Sequence, residues 1–235
     1  MPVKHTARTL RALAADRSGL ALIEWAISLP VLLTLGLGGI EVAHFAIANL
    51  RISQIAATTA DNAARVRDEI DEIDINELFA GAKFVGRNID FAANGRIILS
   101  DVEATSDGKQ WMRWQRCSGA LQVESTYGEP MSSTGAKITS FTDSTKAPTD
   151  YGASSLKWTA TQLGPTGNQI ATAQGTATML VEVVYDYQPL VANRFLGTRR
   201  MRYTGAFNVR QRVNQTLNRA SLTATQMSTC GKYAA

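Results

Sequence analysis

Glu24 is the one ionisable side chain between Leu20 and Ile40, a run otherwise built from apolar and small residues with Ser28 and Thr34. A charged group inside a bilayer costs about 2.5–3.5 kcal/mol on insertion scales, so it requires a partner or a task. Five positions earlier stands Gly19, at the end of a leader carrying Lys4, Arg8, Arg11 and Arg17 against Asp16. A small residue at that edge suits a membrane peptidase cutting between Gly19 and Leu20. The cut would create an α-amine at Leu20, a group that ordinarily titrates at about 7.7–8.0 and is mostly cationic at neutral pH. Glu24 would lie one helical turn away, about 6 Å along the axis. Its own amine or a neighbour's could then neutralise it, and pairing across chains would reward in-register packing. The competing reading is that Glu24 only reaches back to the headgroups.

The other chemistry-bearing residues are fewer. The 235 residues contain two cysteines, Cys117 and Cys230, too far apart for a redox or zinc CxxC motif. In an extracytoplasmic domain they read as one disulfide closing a long loop, worth about 4–5 kcal/mol on loop-entropy grounds. After Leu190 the chain carries Arg194, Arg199, Arg200, Arg202, Arg210, Arg212, Arg219 and Lys232 and no acid. Arg200, Arg202, Arg210 and Arg212 are candidate contacts to an anionic partner. The alternative is a solvated sheet face opposite the acidic stretch Asp68, Glu69, Asp71, Glu72, Asp74 and Glu77, and the strand-like spacing favours it. That stretch lacks the central glycine and ligand spacing of a calcium loop, so it reads as a solvated helix end and turn. The net charge of +4 sits largely in the leader, and no nucleic acid is expected as a partner.

No nucleophile elbow, phosphate loop, dinucleotide fingerprint or histidine cluster occurs. Gly164-Pro165-Thr166-Gly167 lacks the Lys-Ser/Thr of a phosphate loop. His5 lies in the leader, and His44 lies beside the membrane, three residues after Glu41 and within reach of a local pair. Neither an enzyme nor a cofactor or metal is expected.

The elements that position these groups follow from periodicity. Residues 1–19 form the leader and 20–44 a membrane helix, whose apolar run Leu20–Ile40 spans roughly 31 Å, matching a hydrocarbon core. Basic residues before it place the N-terminus in the cytoplasm and the rest on the far side. Residues 45–72 continue as an amphipathic helix. Ile52, Ile55, Thr59, Ala63, Val66 and Ile70 form its apolar face, opposite Arg51, Gln54, Asp61, Arg65 and Asp68. One helix therefore runs from Leu20 to about Ile70, bent where Pro30 removes a hydrogen bond. Gly39 and Ala43 allow close approach of another helix. Ala46-Ile47-Ala48 could instead end a secretory signal, but the length of the run and its carboxylate favour a retained helix.

Residues 73–235 read as an α+β head. A short helix resumes through Leu78, Phe79 and Phe84. Arg96–Ala104 pairs with Gln110–Arg116 as a hairpin. Ser118–Gly175 reads as long loops with one short helix near Thr149–Ala153. Alternation at Met179, Val181, Val183, Tyr185 and Tyr187, and again at Met201, Tyr203, Phe207 and Val209, marks two further strands, with the four arginines opposite.

In plan this resembles a type IV pilin: α+β, with a long membrane-spanning helix continuing into an amphipathic one packed on an antiparallel sheet. In detail, Ser18-Gly19-Leu20-Ala21-Leu22-Ile23-Glu24-Trp25-Ala26-Ile27-Ser28-Leu29-Pro30 resembles TadE-like pseudopilins of the tight-adherence (Flp) pilus. The resemblance covers about the first fifth of the chain. It implies cleavage by a prepilin peptidase after Gly19, and an assembly motif of Glu24, Trp25 and Pro30. It further implies a bacterial inner-membrane location with a periplasmic head. The implied partners are other pilins and pseudopilins, the inner-membrane assembly platform and membrane lipid. Trp25 stands where the family usually has Tyr or Phe, and the chain is far longer than the system's major pilin, which points to a minor or accessory role in assembly and adhesion. Asp150-Tyr151-Gly152-Ala153-Ser154 matches poorly to the acidic-serine motif of the related TadG-like proteins and is set aside. The alternative is a membrane-anchored or secreted module whose basic C-terminal strand binds a polyanion or glycan.

Overall fold

The computed structural model describes residues 18–131, 160–191 and 197–235. The leader as far as Arg17, the expected helix near 149–153 and Arg194 lie outside the described residues.

Helix α1 spans Ser18–Arg65, 48 residues, and continues through Pro30. One turn on, the Thr34 hydroxyl donates to the Pro30 carbonyl at 2.7 Å, a local back-bond of the kind common in apolar helices. The helix ends at Arg65, not near Ile70. Asp68 takes a left-handed backbone, φ 57°, which an α-helix cannot carry forward. Ile70, expected on the helix face, instead opens β1 (Ile70–Asp71) and remains fully buried.

Helix α2 (Glu72–Val85) follows at once and includes the expected Leu78, Phe79 and Phe84. Asp71 starts it: its carboxylate accepts from the Ile73 and Asp74 amides at 2.8 Å each, while Asp74 accepts from the Asp71 amide. This reciprocal arrangement satisfies donors that a helix start leaves open. The acidic stretch is therefore only partly the solvated turn expected of it. Asp68, Glu69 and Glu77 are exposed, but Glu72 is fully buried against Arg116, with Arg116 Nη2 at 2.5 Å and Nε at 2.8 Å from its carboxylate. A two-point pair of this kind is the geometry in which buried charges are tolerated.

After a 3-10 turn and the short α3 (Phe91–Asn94), the chain enters the sheet. Its strands are β2 (Gly95–Ala104), β3 (Gln110–Ser118), β4 (Ala177–Asp186) and β5 (Arg200–Asn208). They are ordered β3-β2-β4-β5 and every neighbouring pair is antiparallel. The hairpin and the two later strands fall where alternation put them. The sequence pattern did not foreshadow β6 (Leu217–Asn218), which pairs in parallel with β1.

Both faces of the sheet are covered. On one, Ile97, Leu99, Val181, Val183 and Trp114 meet Ile52, Ile55, Ala56, Ala60, Ala63 and Ala64 of α1, with Ile75 and Phe79 of α2. Alanines bring the helix close to the strands. At Gly205 of β5 a Cβ would lie 2.5 Å from the Ala56 carbonyl oxygen, so no larger residue fits that crossing. On the other face Val102, Met112, Tyr127, Leu163 and Leu180 form a second, smaller core. Its coil segments each lend one or two anchors, which is why the 118–175 stretch shows no periodicity. β5 runs alongside α1 in the same direction, since Gly205 meets Ala56 and the Arg210 amide donates to the Ala64 carbonyl at 3.3 Å. The end of the sheet holding Tyr185 and Arg200 therefore faces the apolar half of α1.

Gly205→Ala is expected to destabilise the head by about 1–3 kcal/mol through overpacking. Thermal unfolding of the full chain in detergent measures this, and an unchanged midpoint would refute the close crossing.

Candidate functional site

The two halves of α1 have different surroundings. From Gly19 to Ile40 nearly every side chain is exposed, with Leu22 at 75% and Trp25 at 65%. This bare portion is about 33 Å long at roughly 1.5 Å per residue, close to a hydrocarbon thickness. It is long and apolar enough to cross a membrane, with a mean hydropathy of 2.0 in its most apolar window. Gly19, Leu20, Glu24, Trp25 and Pro30 all lie on it and are exposed. Glu24 pairs with no described residue of its own chain.

The first residue that the head covers is Glu41, at 0% exposure. A fully buried carboxylate must find donors, and Glu41 has three. The Tyr187 hydroxyl donates to Oε1 at 2.5 Å, and the Leu190 and Val191 amides donate to Oε2 at 3.1 and 2.8 Å. His44 Nδ1 lies 3.0 Å from the same phenol oxygen. With the phenol proton committed to Glu41, His44 serves as donor through Nδ1–H. Phe45 packs edge-on to the Tyr187 ring at 5.1 Å between centroids. Burial, and then the adjacent Glu41 carboxylate, push the Tyr187 phenol well above its usual pKa, so it stays a donor.

The expected local pairing of Glu41 with His44 is thus mediated by Tyr187, which lies 146 residues along the chain from Glu41. The sequence signal for it was the alternation through Tyr185 and Tyr187. That pattern places both rings on the helix side of the sheet, but nothing in it names their partner.

The four arginines do not share one surface. Arg200 and Arg202 sit near the bare half of α1, where Arg200 pairs with Asp186 at 2.7 Å and Arg202 with Glu182 at 2.7 Å. Glu182 is itself fully buried on the far face of the sheet, where it also accepts from Ser125 and from the Thr126 amide and hydroxyl. Arg210 and Arg212 lie past the end of β5, at the other end of α1. Arg210 reaches Asp61 at 3.1 Å. Arg212 is buried, donating to Gln215 at 2.9 Å and to the Ala63 carbonyl at 3.3 Å, and its burial pushes its pKa down. None of the four faces the 68–77 stretch through an ion pair among the described residues. The buried acid there, Glu72, takes Arg116 of β3 instead.

Cys117 and Cys230 are bonded, 113 positions apart in sequence and with 4.6 Å between their Cα atoms. The Cys117 amide donates to the Ser228 carbonyl at 2.9 Å. Arg96 adds to the tether, donating to the carbonyls of Gly119, Cys230 and Lys232 while its guanidinium lies 4.1 Å from the Tyr233 ring centroid. Sequence reasoning found the cysteine pair and missed Arg96, which looked like an ordinary strand-edge arginine.

A bare apolar helix whose second half packs on an antiparallel sheet defines a pilin-like α+β layout. Residues 19–65 match the family model described as TadE-like protein. The chain is TadE-like over α1, about a fifth of its length. No curated protein and no solved structure matches the chain.

Tyr187→Phe removes one donor from Glu41 and should cost about 1–3 kcal/mol. Thermal unfolding of the full chain in detergent measures the loss, and an unchanged midpoint would mean that the two backbone amides suffice.

Proposed function

We propose that the chain is a minor pilin or pseudopilin of a tight-adherence (Flp-type) pilus, anchored by residues 20–44, processed after Gly19 and active in assembly and surface adhesion. The observation that carries this reading is the bare half of α1. Its apolar surface is about a bilayer thick, holds one carboxylate and is followed immediately by a half that the head buries. Lipid or other helices can cover that surface, whereas the head of the same chain does not.

On this reading residues 1–19 are the leader, 45–72 join the anchor to the head, and 73–235 form the head. The N-terminus lies in the cytoplasm and the head in the periplasm. A prepilin peptidase removes the leader, and the subunit then meets other pilins at the inner-membrane assembly platform. Glu24 pairs with the new α-amine of Leu20, on its own or a neighbouring helix, while Trp25 and Pro30 shape the packing. The accessible position of Gly19, where a Cβ would meet nothing within 4 Å, is compatible with a protease reaching the bond.

The reading of a polyanion-binding module has less support. Arg212 is buried, and the other three arginines, each beside a carboxylate, are split between two separate places, so the four form no common site for a polymer.

Mass spectrometry of the N-terminal peptide from membranes is expected to find Leu20 first. A start at Asn49 would instead indicate a signal peptidase and refute the pilin reading. Glu24→Gln should leave membrane insertion intact while lowering recovery in sheared pili several-fold, because the amine loses its counter-charge. Equal piliation would remove the pairing role.

A further inference from the structure

The connection between β4 and β5 is the part of the sheet nearest the bare helix. Glu41 follows the last bare residue, Ile40, and its carboxylate holds the backbone amides of Leu190 and Val191. That grip fixes Leu190 and Val191 at the level where the apolar surface of α1 ends. Leu190 nevertheless leaves its side chain 63% exposed. An exposed leucine alone needs no explanation. One fastened by a buried carboxylate to the end of a membrane-length helix lies at the depth of the lipid interface.

Beside it, Phe45 and Asn49 of α1 with Arg199, Arg200, Arg202 and Tyr203 form part of the lining of an open cavity of about 560 Å³. The side chains of Arg199 and Arg200 are exposed, and Tyr203 is 38% exposed. Arg200 spends Nε and Nη2 on Asp186, leaving the two N–H groups of Nη1 for an acceptor outside the chain. The nearby acids are less accessible than these arginines. Glu41 and Glu182 are fully buried, and the Asp186 side chain is 21% exposed. Among the described residues, this end of the head therefore presents arginine, aromatic rings and leucine outward, the combination that suits the boundary between lipid phosphates and acyl chains.

We infer that the β4–β5 end of the head is a second membrane contact, with Leu190 resting in the lipid interface and Arg199 and Arg200 binding phospholipid phosphates. The head is thereby docked on the bilayer surface at a set orientation. This rests on the membrane reading of α1 proposed above. Tyr187, Leu190 and Val191 are joined to the helix through the Glu41 carboxylate.

Because Cys117 and Cys230 are bonded to each other, an introduced cysteine is the free thiol available for labelling. The full chain carrying Leu190→Cys, Ile27→Cys or Val213→Cys is labelled with an environment-sensitive fluorophore. Each is reconstituted in phosphatidylglycerol-containing vesicles bearing a nitroxide lipid quencher. Val213 is 96% exposed, lies past the end of β5 away from the bare helix, and serves as the aqueous reference. Quenching at position 190 should exceed that at 213 several-fold, and Arg199→Gln with Arg200→Gln should bring it down towards the reference. Both arginines are exposed, and losing the exposed Arg200–Asp186 pair leaves the fold standing. If the label at 27 is quenched and that at 190 behaves like 213, the docking inference is overturned while the anchor reading survives. Quenching at 190 that ignores the arginine changes overturns the phosphate assignment. A label at 27 that lipid does not quench removes the anchor and the inference together.

Discussion

The Glu41 carboxylate, held by Tyr187 and two backbone amides, marks where α1 changes its surroundings. Below it, the helix offers apolar surface suited to lipid. Above it, the same helix supplies one wall of the head's main core. A carboxylate at that boundary can be buried only because its donors come from the sheet, so the sheet must sit at one particular height on the helix. Sliding the helix by one turn would leave a charge without donors in an apolar setting, which costs far more than a shifted leucine. Ala48, Ile52, Ile55 and the alanines that follow then fall against β4 and β5.

A second fixed point stands towards the far end. Gly205 lets β5 cross Ala56 at backbone distance, and Arg210 and Arg212 close around the last turns of α1 through Asp61 and the Ala63 carbonyl. Two separated attachments on one rigid rod transmit force between its ends without a hinge.

The bare half of α1 was legible because composition marks it: some twenty apolar residues are long and apolar enough to cross a membrane. The strands were legible where one face is apolar, as at Met179–Tyr185. The end of α1 was not, because the left-handed Asp68 is a local backbone choice that the apolar period runs straight past. The partners of the buried charges were also hidden. Glu72 and Arg116 are 44 residues apart, and Glu41 and Tyr187 are 146 apart. Each looks like a surface residue until the fold removes its water. For the same reason the arginines of β5 suggested one basic face, whereas the fold places two beside Phe45 and Asn49 and two at the last turns of α1, and gives three of them a carboxylate.

The strand order carries a consequence for how the chain matures. β2 emerges early and needs β4 along its whole length, Gly95 opposite Tyr185 through Glu103 opposite Ala177. The last partner of β1 is Leu217–Asn218, and the covalent clasp waits for Cys230. A polypeptide delivered from its N-terminus thus exposes an unmated β-edge until most of its length has appeared, and such edges invite pairing with strangers. A guardian for that interval, together with a thiol oxidant acting at its close, belongs to the cellular requirements of a head built in this order.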